Sequence, residues 1–294
     1  MPSLKDVRTR IDSVNSTKQI TSAMKMVAAS KLRKSQNAIN NMRPYAAKLN
    51  EILQNLTASL DQESMGIYGQ EREVKHVLIV PITSNRGLCG AFNSNIIKAA
   101  QQLINVDFAD QNAAGNVHVL TVGKKATDHF SKKGHKHIGQ HDDLFNALNF
   151  ANVFPLAEEL MQRYANKEYD RIVLVYNHFK NAATQVVTSE QFLPVSSNKE
   201  EFTVDLNADY LFEPGKQEIV EELVPTILKV QFYKAMLDSF AAEHGARMLA
   251  MSQATDNATE LIKALKLQYN KARQAAITNE ILEIVGGAEA LKNG

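Results

Sequence analysis

Cysteine is almost absent from this chain, and so is any long apolar run. A single thiol, Cys89, stands among 294 residues, which excludes an intrachain disulfide and suits a reducing compartment. The longest apolar stretch, Val77 to Ile82, is far too short to span a bilayer, which takes about 20 such residues. No repeat, low-complexity tract, apolar signal region or Arg-rich presequence is present, and the first residues enter a helical pattern at once. The expectation is a soluble protein acting in the compartment where it is made. A net charge near zero, at +1, accompanies 44% apolar and 22% charged residues. That composition is neither disordered nor fibrous and can fill a core in one or two domains.

What the chain does have is a heptad seam at each end. Stepping alternately three and four residues from Val220 lands on Val220, Leu223, Ile227, Val230, Lys234, Leu237, Ala241, His244, Met248, Met251, Thr255, Ala258, Ile262, Leu265, Tyr269, Ala272, Ala276 and Asn279, fourteen of eighteen apolar. The 65 or so positions after Pro225 predict a helix of roughly 100 Å, which needs a partner along its stripe. From Leu4 the same stepping reaches Leu60 with thirteen of seventeen apolar, turning polar between Lys18 and Lys25. The two ends therefore read as one antiparallel coiled coil. If the long helix begins beside the end of the first, paired residues sum to about 270, placing Met24 near Arg247 and Leu4 near Lys266. The last twenty to twenty-five residues then extend as a lone helix, apolar at Ile277, Ile281, Ile284, Val285, Ala288 and Leu291, which calls for an apolar socket in another protein.

The neutral total hides an asymmetry. Residues 1–50 carry ten Lys or Arg against Asp6 and Asp12, so +8 lies on the first helix and −7 on the rest. This is either a solvated face or a surface for an acidic protein. Nucleic acid is disfavoured, because the charge runs around the helix without interleaved aromatics.

Between the helices the period shortens. VKHVLIVPIT (74–83), VHVLTVG (117–123), RIVLVYNHF (171–179) and TQVVTSEQFLP (184–194) read as strands, with helices at about Asn93–Asn105 and Phe154–Lys167. The class is α + α/β: a long antiparallel coiled coil with an inserted Rossmann-like α/β domain and a largely parallel sheet, the last strand an antiparallel edge. The expected division is 1–60, 74–205 and 212–294, with loops at 61–73 and 195–215. Pro44 should bend the first helix, and Pro225 should separate a short segment from the long one.

Candidate chemistry is sparse. SNRGLCGAFNSN (84–95) sits between a strand and a helix, where Gly-rich turns cradle phosphate, but Gly87 and Gly90 without a Walker lysine read as a tight structural turn around Cys89. Arg86 lies close enough in sequence to activate that thiol. His129, His135, His137 and His141 with Asp142 and Asp143 suggest metal ligands, but the segment is loop-like and rich in lysine. No nucleophile, base and orienting acid recur at catalytic spacing, and no cofactor is expected. The chemistry reads as mechanical or architectural.

Two blocks, TKQITSAMKMVAASKLRKSQ (17–36) with RPY (43–45), and ATDNATELIKALKLQYNKARQAAITNEILEIVGGAEAL (254–291), together with SNRGLCGAFN, resemble the gamma-subunit family of F-type ATP synthases. The resemblance covers the whole chain in order. It implies a non-catalytic axle inside a hexamer ring of alpha and beta subunits, one copy per complex, whose α/β foot meets the epsilon subunit and the membrane c-ring. Proton flow turns it, and its unequal faces drive the beta subunits through different nucleotide affinities. Matched position by position, Met24 and Lys25 lie where the family's axle meets an acidic beta loop, Arg247 at that site's partner position, and Arg273, Gln274, Thr278 and Glu280 at contacts with beta near the top of the shaft. The family's acidic residue and second glycine in the turn are here Asn85 and Ala91, and two glycines, Gly286 and Gly287, replace the common one, so the tip is expected to fray when unbound. The chloroplast cysteine pair is missing, which implies a bacterial protein at the cytoplasmic face of the plasma membrane. The alternative of a different class is a coiled-coil scaffold carrying a nucleotide-binding α/β domain.

Overall fold

A computed structural model describes residues 3–58, 67–132, 135–195 and 216–292. Thirteen elements follow in the order α1 (Leu4–Ala58), β1 (Val77–Pro81), α2 (Phe92–Gln102), a π turn (Leu103–Asp107), α3 (Ala109–Ala113), β2 (Val117–Thr121), α4 (Lys124–Phe130), β3 (Lys136–Gln140), a 3-10 turn (Asp143–Asn146), α5 (Phe150–Ala165), β4 (Arg171–Phe179), β5 (Gln185–Leu193) and α6 (Lys216–Lys292). The expected loops at 61–66 and 196–215 fall outside the described residues. Two compact units result: Met1–Val27 with Met248–Gly294, and Ala28–Arg247.

In the first unit the ends of α1 and α6 run antiparallel along their seams. Val7, Thr21, Met251, Ala258 and Leu265 are buried, and Leu4, Ile11, Val14, Thr255, Ile262, Tyr269, Ala272 and Ala276 are half-buried. Seam periodicity thus became burial periodicity. The register differs from the expectation. Thr21 Oγ1 lies 2.8 Å from Thr255 Oγ1, and Lys25 Nζ donates to Ser252 Oγ at 2.9 Å, so pairs sum to 276 and 277, not about 270. A slide of one heptad keeps both seams facing each other, and the part-buried Thr21–Thr255 pair selects between such registers.

The second unit holds the sheet, in the order β3-β2-β1-β4-β5. β1, β2, β3 and β4 are parallel and β5 is the antiparallel edge, with Tyr176 opposite Thr188. β1 is buried throughout, as a central parallel strand must be. β3 arises in the stretch read as loop. KHIGQ lacks a β-branched run, yet the parallel pairing of His118 with Lys136 makes it a strand. Asn149 caps α5 by accepting from the Asn152 N–H, so that helix starts a turn before the expected boundary and carries Pro155 inside it. Pro225 likewise lies within one continuous helix, not between two. Burial of Val224, Ile227 and Leu228 beside it offsets the lost backbone bond.

From Val224 to Arg247, α6 is buried on nearly every face. Phe192 meets Phe232, Phe150 meets Tyr233, and Phe145 stacks on Phe240. α1 contributes Ala28, Leu32, Ser35, Ile39, Met42 and Leu49 to this unit's interior. Gly245 admits the β4–β5 turn: a Cβ there would lie 3.3 Å from Ala182 Cα and from Phe179 Cε2.

Candidate functional site

The β1–α2 turn is built from side chains that satisfy backbone groups. Ser84 donates its N–H to Asn93 Oδ1 at 2.9 Å and its hydroxyl to Arg86 O at 2.7 Å. Thr83, wholly buried, donates through Oγ1 to Gly123 O and accepts the Ala126 N–H at 2.9 Å, which ties the start of α4 to the end of β1. Gly123 has φ of 94°, and a Cβ on it would meet Thr83 O at 2.1 Å, so both torsion and space demand glycine. Gly90 also has positive φ, at 58°, and Leu88 follows it into that region at 63° while exposing its side chain. Asn85 accepts from Lys124 N–H and donates to Asp142 O at 2.6 Å. A carboxylate cannot make that second bond, which accounts for the amide at this position.

Arg247 of α6 reaches this turn. Its Nη2 donates to Arg86 O at 3.0 Å and Gly87 O at 3.2 Å, while Nη1 donates to Glu243 Oε1 and to His244 Nδ1 at 3.3 Å. Burial pushes the Glu243 carboxyl upward, and the Arg247 guanidinium and Lys31 oppose it. His244 is driven down to about 3 by burial, then by the charges of Arg247 and Lys31. It is therefore neutral near pH 7, and its buried Nε2 has no hydrogen-bond partner. Cys89 lies buried beneath the turn, where burial pushes its thiol up. The cation facing the thiol is Arg247, not the Arg86 of the sequence reading. The turn presents carbonyl oxygens, the opposite polarity to a phosphate cradle, and the Arg247 guanidinium is engaged by them. Gly90, at positive φ, shapes the turn, whereas Gly87 has no torsion or close contact that demands glycine.

Along the rest of that face, Ser239 donates to Ile82 O at 3.2 Å, and buried Asp238 lies 2.8 Å from His178 Nδ1. Tyr176 donates to Glu190, which also accepts from Gln231 at 2.6 Å. The histidine cluster disperses. His137 Nε2 is 2.9 Å from Thr121 Oγ1, His141 faces Glu159, and Asp142 accepts from Thr127. Among the described residues no three His, Cys, Asp or Glu are placed to hold a metal.

In the first unit, Met24 is half-buried and Lys25 exposed. Arg273, Gln274, Thr278 and Glu280 are exposed on α6, Thr278 donating to Gln274 O at 2.9 Å. Every residue from Ile277 to Ala288 is exposed, with Ile281, Leu282, Ile284 and Val285 showing more than half their surface, up to 72%. The apolar overhang thus begins at Ile277, later than the expected register allowed. Among the described residues, no helix is long and apolar enough to cross a membrane.

The family described as ATP synthase matches residues 3–291. The ATP synthase gamma chain of Flavobacterium johnsoniae is 59% identical over 291 residues, covering 99% of each chain. The chain belongs to the ATP synthase gamma-chain family. The gamma chain of Chlorobium luteolum is 47% identical over the full length of both. Among solved structures, a chain of the Tetrahymena thermophila mitochondrial ATP synthase central stalk and c-ring matches at 28% identity and TM-score 0.58, covering 80% of this gamma chain and 99% of its own. A chain of the Euglena gracilis mitochondrial ATP synthase rotor shares the fold at 23% identity and TM-score 0.65, covering 93% and 98%. In this chain the turn, Arg247 and Glu243 form one hydrogen-bonded group. Sequence reasoning missed Glu243, Ser239 and Asp238. The signal was available: polar residues on every face of a helix otherwise apolar all round require buried partners.

Proposed function

We propose that this chain is the central-stalk rotor of a bacterial proton-translocating F-type ATP synthase. It couples proton flow at the membrane c-ring to ATP synthesis on the beta subunits. It is not itself catalytic, and one copy works with the hexamer of alpha and beta subunits, the epsilon subunit and the c-ring, peripherally at the cytoplasmic face of the plasma membrane. The three-part division into 1–60, 74–205 and 212–294 describes axle, foot and axle.

The observation that carries this reading is α6, one helix of 77 residues that exposes Ile277, Ile281, Leu282, Ile284 and Val285 between Ile277 and Ala288. A soluble chain that presents such a surface needs an enclosing protein. Membership of the gamma-chain family supports the alpha–beta ring as that enclosure. Arg273, Gln274, Thr278 and Glu280 are then beta contacts near the tip, and Met24 with Lys25 meets an acidic beta loop lower down. Arg247, read from the sequence as a partner contact, is 8% exposed and engages Glu243, His244 and the β1–α2 turn of its own unit.

Co-expression with the alpha and beta subunits of the same operon, followed by size exclusion and an ATPase assay, tests the proposal. The expected product is a hexamer with one copy of this chain and raised hydrolysis. A folded chain that stays outside the hexamer refutes the rotor reading.

A further inference from the structure

At the carboxyl edge of β1 and β4 the strand order reverses, β2 and β3 lying to one side of β1 and β4 to the other. In open α/β sheets this is the crevice that takes a ligand. Here the chain fills it with its own helix. Ser239 donates to the carbonyl just beyond β1, Asp238 pairs with His178 at the end of β4, and Arg247 spans the β1–α2 turn. The two terminal nitrogens of Arg247 have four acceptors, Glu243, His244 and the carbonyls of Arg86 and Gly87. Arg86 O also accepts from Ser84, so the turn is held from inside and from the helix at once.

We infer that Arg247 is a positioning residue that takes the place of a ligand at the switch point, clamping the β1–α2 turn onto α6. Sheet and helix then move as one piece in this unit, and any torque the helix carries reaches the sheet without slack. That last consequence rests on the rotor reading; the clamp itself does not, and it is tested on the chain alone. A planar fork is required, because only a guanidinium serves two carbonyls and a carboxylate together. Glu243 keeps the fork oriented, and neutral His244 accepts the other Nη1 proton.

Cys89, the only thiol, is a built-in reporter under the clamped turn, with Asn93 Nδ2 3.2 Å from Sγ. Burial raises its pKa, the Ser84 hydrogen bond and the Arg247 charge lower it. Labelling of the full-length chain with a small thiol reagent between about pH 6.5 and about pH 9.5 reads access from the rate and charge from the profile. Arg247→Lys keeps the charge and loses the fork. It is expected to label about ten- to a hundredfold faster, the cost of lost hydrogen bonds to a charged group, with the thiol pKa unmoved. Arg247→Gln is expected to show the same acceleration with the thiol pKa moved up. A rate for Arg247→Lys within about twofold of the wild type overturns the inference, as does acceleration in Arg247→Gln without a shift in the profile. If neither variant retains its helical circular dichroism, Glu243→Gln decides. A rise of about threefold or more supports the clamp, and a smaller one overturns it.

Discussion

His244 shows how a single side chain is set by its surroundings. Buried beside Arg247 and within reach of Lys31, it titrates near 3 in the folded chain, against about 6.5 when unfolded. Between these values the unfolded chain binds a proton that the native chain refuses, so stability is full above about pH 6.5 and declines as pH falls toward about 3. Urea midpoints at decreasing pH should fall more steeply for the wild type than for His244→Gln. Gly123→Ala is expected to cost more than about 2 kcal/mol, since strained torsion and a clash with Thr83 O add, and thermal unfolding measures it. Under the rotor function proposed above, Met24→Lys adds a cation to a basic face and should tighten contact with an acidic beta loop, so pumping per ATP hydrolysed falls while assembly proceeds. Unchanged coupling in the assembled variant would remove Met24 from the contact. At this scale the sequence was legible where a residue acts through its own backbone needs, as in the Gly90 turn. Arg247 was not, because its partners are main-chain oxygens about 160 positions away, which carry no side-chain signature.

Among the elements, α1 and α6 were readable because a seam repeating every three or four residues has one physical use. Their register was not, because sliding by a heptad preserves every apolar contact class. The discriminating signal was the match of polar seam positions, Thr21 against Thr255. Replacing both by valine should leave stability unchanged or slightly raised, since paired buried hydroxyls give way to apolar groups of the same shape. β3 was hidden by Gly139 and flanking polar residues, and became a strand through pairing with β2. The boundary between paired and unpaired helix can be tested directly. Leu265→Ala, at a buried seam position, is expected to cost about 2 kcal/mol or more in the isolated chain, and Ile281→Ala, on the exposed overhang, less than about 0.5 kcal/mol. Equal costs would place Ile281 in a contact that its 55% exposure does not show.

For the whole molecule, the charge asymmetry is the property that composition alone conceals. A +8 segment at residues 1–50 within a chain of net +1 predicts association that is electrostatically steered. Under the rotor function proposed above, raising salt from about 50 to about 300 mM should slow joining of the alpha and beta subunits several-fold, with little change in the dissociation rate of the finished complex. The class, α + α/β with helices at both ends, was legible because periodicity changes twice along the chain. The occupied switch point was not, because occupancy depends on where α6 lies, and no local pattern encodes that.

Gly286 and Gly287 bear on timing. Within the chain a Cβ on either would touch nothing, so neither glycine is demanded by packing. Each lowers helix propensity by up to about 1 kcal/mol, and the exposed side chains from Ile277 to Ala288 offer little burial to offset it. Under the rotor function proposed above, part of the ordering free energy of α6 is withheld until the ring closes around it. The tip would then act as a delayed fastener, firm only once enclosed, with the order of assembly written into its helical equilibrium.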